Sequence, residues 1–196
     1  MHASSFKRAA TGVLLVAALT AAPLSASGAA GATAPEVAHI GAADAAAFAR
    51  AQIPLSKALA LAEARSGGKG LDIALTRRAG HLAYSVKTLL ADAVWEGSVD
   101  AATGNITGKS KVTALAKLDA EDQAEISGLS ASKFTLADIV AKVGANGADR
   151  IIDAGLEASG GNPVYDFKVL RAGVVRELTI DPATGEVTSD REQAAK

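Results

Sequence analysis

The chain has no cysteine. That excludes disulfides, Cys-ligated zinc, haem attachment through Cys and thiol catalysis, so packing alone must hold the fold. Histidine is nearly as scarce, with three in the chain: His2 near the start, His39 in an Ala/Gly-rich stretch, and His81. There is one Met and one Trp, and formal net charge is −1. No run of Lys or Arg is long enough for a nucleic-acid footprint, so no nucleic-acid partner is expected. Beyond the first residues no long apolar run occurs, which argues against stable membrane insertion of the mature chain. What remains is modest charge and much alanine, the composition of a globular chain with one or two small domains.

Residues 1–29 read as an export signal. Lys7 and Arg8 form a basic start, Val13-Leu14-Leu15-Val16 centre an apolar stretch, and Ser25-Ala26-Ser27-Gly28-Ala29-Ala30 supplies small residues for cleavage. The stretch falls short of the ~20 residues a spanning helix needs, and Pro23 ends it. A periplasmic or extracellular location follows. Residues 30–52, with Pro35, read as a tether that turns helical from about Ala42.

The chain then repeats itself. Residues 53–107 align without a gap on 134–188, each partner 81 positions on, as 165 − 84 shows. The anchors are Leu55/Leu136, Asp72/Asp153, Gly80/Gly161, Tyr84/Tyr165, Lys87/Lys168, Glu96/Glu177 and Asp100/Asp181. Each repeat opens with apolar residues at i, i+3, i+4 and i+7: Leu55, Ala58, Leu59, Ala62, and Leu136, Ile139, Val140, Val143. That spacing lines one face of a helix. Pro54 suits a helix start, and Thr135 with Asp138 resembles a capping box. Ser66-Gly67-Gly68 and Gly144–Gly147 end the helices.

Three alternating strands follow, and their turns set the register. A two-residue turn at Ala79-Gly80, echoed at Gly160-Gly161, and a second at Ala91-Asp92, echoed at Ala172-Gly173, align Leu75, Tyr84 and Val99 in one row. The second repeat aligns Leu156, Tyr165 and Ile180. Both rows are expected to face the helix. The opposite face then carries Asp72–Lys87–Glu96 and Asp153–Lys168–Glu177, a cation between two anions in each repeat. Such exposed pairs are worth only roughly 0.2–1 kcal/mol each, yet a one-residue slip would bury them, so they specify register. Ala91-Asp92 is the weaker turn chemistry, which leaves room for a longer turn in the first repeat.

The third strand ends in Asp100-Ala-Ala-Thr-Gly104 and again in Asp181-Pro-Ala-Thr-Gly185. Asp starts a turn through its side chain and Gly supplies positive φ. A short final strand follows at Ile106 and Val187. Residues 110–132 form a linker in which Asp119, Glu121, Asp122 and Glu125 ahead of Gly128 mark a short helix, expected to be a solvated spacer. The tail is 191–196.

Candidate chemistry is sparse. His81 beside a turn has no second His nearby to build a metal site. Asp100 and Asp181 lack the further oxygen ligands of a calcium loop. Gly67-Gly68-Lys69-Gly70 follows a helix instead of opening one, so it reads as a terminator and not a phosphate loop. No catalytic, cofactor or metal residue is assigned, and no enzyme is expected. Trp95, placed opposite Thr88 at the end of the core face, is an edge-of-core residue or a contact anchor. With its neighbour Glu96 and their counterparts Arg176 and Glu177, it forms the set of candidate partner contacts.

The helix Leu55-Ser-Lys-Ala-Leu59, the strand Tyr84-Ser-Val86 with Tyr165-Asp-Phe167, and the turns Val99-Asp-Ala-Ala-Thr-Gly-Asn-Ile106 and Ile180-Asp-Pro-Ala-Thr-Gly-Glu-Val187 together resemble the PepSY domain. The resemblance spans both repeats. It implies an α+β fold of two tandem modules, residues 53–109 and 133–190, each a helix packed on an antiparallel β-sheet. It also implies a non-catalytic envelope protein that binds a protein or peptide, a protease among the candidates, and modulates it. A structural or small-ligand module is the alternative. The chain has no His-Glu-x-x-His motif and nothing follows Lys196, so a propeptide role in cis is not expected.

Overall fold

The computed structural model describes residues 51–193, except 79, 80, 130, 131, 146, 148 and 160. The export signal, nearly all of the tether, His2, His39, the Ala79-Gly80 turn and Gly160 lie outside the described residues. Helix α1 spans Leu55–Ser66, followed by strands β1 (Lys69–Arg78), β2 (His81–Leu89), β3 (Ala93–Asp100) and β4 (Ile106–Ala114). A 3-10 turn at Leu115–Lys117 leads to α2 (Ala120–Gly128) and α3 (Leu136–Gly144). The chain finishes with β5 (Arg150–Ser159), β6 (Asn162–Arg171), β7 (Val174–Ile180) and β8 (Val187–Glu192).

The helix stripes read from the sequence are the buried ones. Leu55, Ala58, Leu59 and Ala62 are buried on α1, and Leu136, Ile139, Val140 and Val143 on α3. Gly67 ends α1 at φ 74°, its N–H donating to Glu63 O at 2.8 Å. Thr135 and Asp138 exchange both bonds of a capping box at the start of α3.

Strand register also follows the repeat. Leu75, Tyr84 and Val99 align, as do Leu156, Tyr165 and Ile180. The charged rows Asp72–Lys87–Glu96 and Asp153–Lys168–Glu177 stand on the other face. Each gains a fourth member from the edge strand: Lys111 opposite Glu96, and Arg191 opposite Glu177. Both repeats carry a bulge at the same place, Leu71 and Ile152, which turns the start of β1 and β5.

The sheets of the two repeats join into one. The order is β4-β3-β2-β1-β5-β6-β7-β8, eight antiparallel strands joined through β1 and β5. Ile73 pairs with Ala154, flanked by Asp72 with Gly155 and Ala74 with Asp153. Since 154 − 73 is the repeat offset, the joint has a local two-fold relation between the repeats. Helices α1 and α3 cover one face, touch each other, and α3 reaches β1 as well as β5. A single hydrophobic core therefore runs beneath both.

Three expectations change. The Ala91-Asp92 turn is no longer than its counterpart, because Leu90 N–H donates to Ala93 O at 2.8 Å. It reverses without positive φ, whereas Ala172 and Gly173 both adopt it, at 50° and 85°. Strand β4 is not short, since it continues to Ala114, inside the stretch read as linker. Helix α2 is not a solvated spacer: Asp122 is 1 % exposed, Ile126 is buried, and the helix packs on β5 and β6. Its face Asp122, Glu125, Ile126 and Leu129 recurs at helical spacing, half acidic and half apolar.

Candidate functional site

The closing turns anchor everything near them. Asp100 accepts from the backbone N–H of Thr103 (2.7 Å) and Ala102 (3.0 Å) and from Thr103 Oγ1 (2.9 Å). These bonds, the Thr103 backbone first, hold its carboxyl below the usual carboxylate range. Asp181 accepts from Ala183 N–H at 2.7 Å in the same way. Gly104 and Gly185 close the turns at φ 78° and 69°. The Asp100 carboxylate is thus engaged in building a turn.

Each turn is tied to the segment before a helix. Ile53 N–H donates to Ala101 O, and Phe134 N–H to Pro182 O. Tyr84 Oη donates to Ile53 O at 2.7 Å, and Tyr165 Oη to Phe134 O at 3.2 Å. Burial pushes both phenols up to about 12, so they remain hydrogen-bond donors.

On the face away from α1 and α3, an open groove lies beside each turn. The first, about 450 Å³, is lined by His81, Ser85, Ser98, Asp100, Thr107 and the exposed Lys109 and Lys111, among others. The second, about 470 Å³, includes Asn162, Val164, Thr179, Asp181 and Thr188. At the repeat offset His81 corresponds to Asn162, Ser98 to Thr179, Asp100 to Asp181 and Thr107 to Thr188. The same position is concave twice.

Among the described residues, only the second groove has a wall from outside the sheet. Gly128, ending α2, and Ser132 line it. A Cβ at Gly128 would stand 2.9 Å from the Pro163 ring, so glycine lets α2 settle this close. Asp119 caps α2, accepting from Asp122 N–H at 2.9 Å. Glu125 accepts from Ala158 N–H, yet burial and then Asp122, Glu121 and Glu157 push its carboxyl up to about 7.

The candidate contacts do not form one site. Neighbours on a strand face opposite ways, so Trp95 and Arg176 lie on the helix side while Glu96 and Glu177 lie on the outer face. Strands β3 and β7 are also five spacings apart, about 24 Å at ordinary strand separation. Trp95 sits opposite Thr88 and is 6 % exposed, its indole lying over Gly97, where a Cβ would collide with the ring. It therefore has little surface to offer. Glu96 stands between Lys87 and Lys111. Glu177 stands between Lys168 and Arg191, 4.0 Å from the latter. Arg176 donates to Asp190 at 2.7 Å and to Glu192 at 3.0 Å.

The grooves and the docking of α2 were missed by sequence reasoning. The signal available was Ile126 and Leu129 on the same helical face as Asp122 and Glu125, a stripe that a fully solvated helix does not need. Among the described residues no group of His, Asp and Glu is arranged to hold a metal ion. Likewise, no described helix is long and apolar enough to cross a membrane.

Among curated proteins none matches this chain. A crystal structure of a protein assigned as a lipoprotein from Clostridium difficile 630 is similar at 15 % identity. The match covers 72 % of this chain and 94 % of that one, with a TM-score of 0.41. The model of the family described as "Peptidase propeptide and YPEB domain" matches twice, over residues 52–109 and 133–191. The two matches take in both helix-and-sheet repeats with their closing turns and cover more than half of the sequence, so the chain belongs to the PepSY family.

Proposed function

We propose that this is an exported, non-catalytic PepSY protein whose two repeats serve as two modules on one sheet. It binds a protein or peptide partner in the cell envelope, with peptidases the first class to test for modulation. The observation that carries this reading is the outer face of the first repeat, which no described helix covers, beside a matching face of the second on which α2 packs. Membership of a propeptide family supports a partner that is itself a protein.

Two surfaces compete for the contact. Strand addition at an edge is the usual route for extended peptides. Edge strand β4 carries Lys109, Lys111 and the positive-φ Gly108, and edge strand β8 carries Asp190, Arg191 and Glu192. Charges and bulges of that kind discourage added strands. The outer face of the first repeat is therefore favoured over the edges.

The test is affinity capture from an envelope extract with residues 30–196 as bait. The expected result is a specifically retained envelope protein, with no turnover by the bait. Retention of nothing at low salt overturns the reading. In that case the groove of about 450 Å³, roomy enough for a small polar ligand, favours a small-ligand module instead. Thermal shift against small polar compounds would then show it.

A further inference from the structure

We infer that the outer face of the first repeat, around Ser85, Ser98, Lys109 and Lys111, receives an acidic amphipathic helix from the partner. This rests on the partner being a protein, as proposed above, and adds its chemistry.

The chain supplies its own example. On the second repeat, α2 lies across β5 and β6 with Asp122 and Ile126 buried and Glu125 bonded to Ala158. The first repeat has the same strands and the same concave position, but among the described residues no helix lines it. Side chains there are also smaller: Ala83 stands for Val164 and Ser85 for Asp166. A helix can approach such a surface closely.

Charge then selects the kind of helix. The edge of the first repeat carries Lys109 and Lys111, both lining the groove, where the second repeat sets Arg191 opposite Glu177 and keeps Asp190 and Glu192 paired with Arg176 on the helix side. Both lysines are exposed, and among the described residues neither is in an ion pair. Where α2 meets Glu157 on β5, the first repeat has Thr76 on β1, so an incoming helix loses that repulsion, and the part of it that reaches β4 meets Lys109 and Lys111, which line the groove together with Glu96 and Asp100. The occupant that fits has acids and apolar residues on one face, spaced as Asp122, Glu125, Ile126 and Leu129 are.

The probe is a fluorescent peptide of residues 118–129, held helical by a side-chain bridge between substituted, outward-facing positions 120 and 124. It is titrated against the mature chain by anisotropy and mapped by amide chemical shifts. Saturable binding is expected, with shifts confined to Ser85, Ser98, Thr107 and their neighbours. Lys109→Glu with Lys111→Glu should weaken it on the order of tenfold, while Lys109→Gln with Lys111→Gln weakens it less. Circular dichroism checks that both variants fold. Absence of binding, shifts on β5 and β6 instead, or indifference to charge reversal each overturn the inference. If capture still retains a partner after the charge reversal, the partner-binding function stands and only the helix assignment falls. If neither peptide nor protein binds, both fall.

Discussion

At one position the first repeat holds an indole and the second a guanidinium. Trp95 covers Gly97 and is sealed into the core, and Leu90 lies beside Gly68, whose missing Cβ leaves room for it. In the second repeat Leu178 fills the place of Gly97, and Asp149 and Arg171 replace Gly68 and Leu90. Arg171 grips Asp149 through Nε and Nη2, both at 2.6 Å, and reaches Asp190, which Arg176 also holds. One backbone end is closed by an aromatic plate in one copy and by an ionic clasp in the other. The shared backbone shows that the fold asks only for closure at this corner, and leaves the chemistry free to diverge.

The contrast can be broken most directly at its apolar member. Trp95→Ala should cost about 3–5 kcal/mol of unfolding free energy in urea titration. Arg176→Ala should cost about 1 kcal/mol or less, since its partners are solvent-facing. Equal losses would mean the two corners are not alternatives. Asp149→Ala should fall between them, at about 1–3 kcal/mol, because its carboxylate side chain is 1 % exposed and accepts a bidentate pair.

A third comparison concerns the covered and uncovered outer faces. Glu125 has a carboxyl raised to about 7 in the folded chain, so folding favours its protonated form. The stability this lends to the docked α2 is complete below the ordinary value of 4.5 and is lost as pH rises to about 7. Hydrogen exchange of the α2 amides, corrected for intrinsic rates, should therefore speed up across that window. Glu125→Gln should flatten the trend, and a trend that persists would trace it to another group. Smallest of all is the charged row. Glu96→Gln and Glu177→Gln should each cost roughly 0.2–1 kcal/mol and less in high salt, and the two should agree. A large gap between them would show that the rows are not equivalent.

Much of the fold was legible because the repeat tests each local reading twice. The helix stripe, the Asp-x-Ala-Thr-Gly turn and the row Asp72–Lys87–Glu96 all involve residues near in sequence, with turns short enough to dictate register. The joining of β1 to β5 is a pairing about eighty residues apart with no turn to announce it. The bulges at Leu71 and Ile152 likewise leave no local mark, since an apolar residue suits either register there. For the site, Trp95 was correctly placed opposite Thr88, but nothing in the sequence showed that its ring would lie over Gly97. The docking of α2 escaped because four acidic residues outweigh Ile126 and Leu129 in any composition-based reading, and only the sheet beneath reveals which face is dry.

The pairing of Ile73 with Ala154 has a consequence for how such a protein can be assembled. Because each strand meets its own counterpart across the joint, the contact is self-complementary, like the patch that two identical subunits share in a dimer. A lone repeat would present β1 as an open edge, ready to pair with the β1 of another molecule. Tandem duplication converts that concentration-dependent meeting into an intramolecular one, with the connecting segment holding the partner at an effective concentration of about millimolar or more. The chain is, in that sense, a dimer carried on one polypeptide, and its two halves are free to specialise in ways that two identical subunits could not.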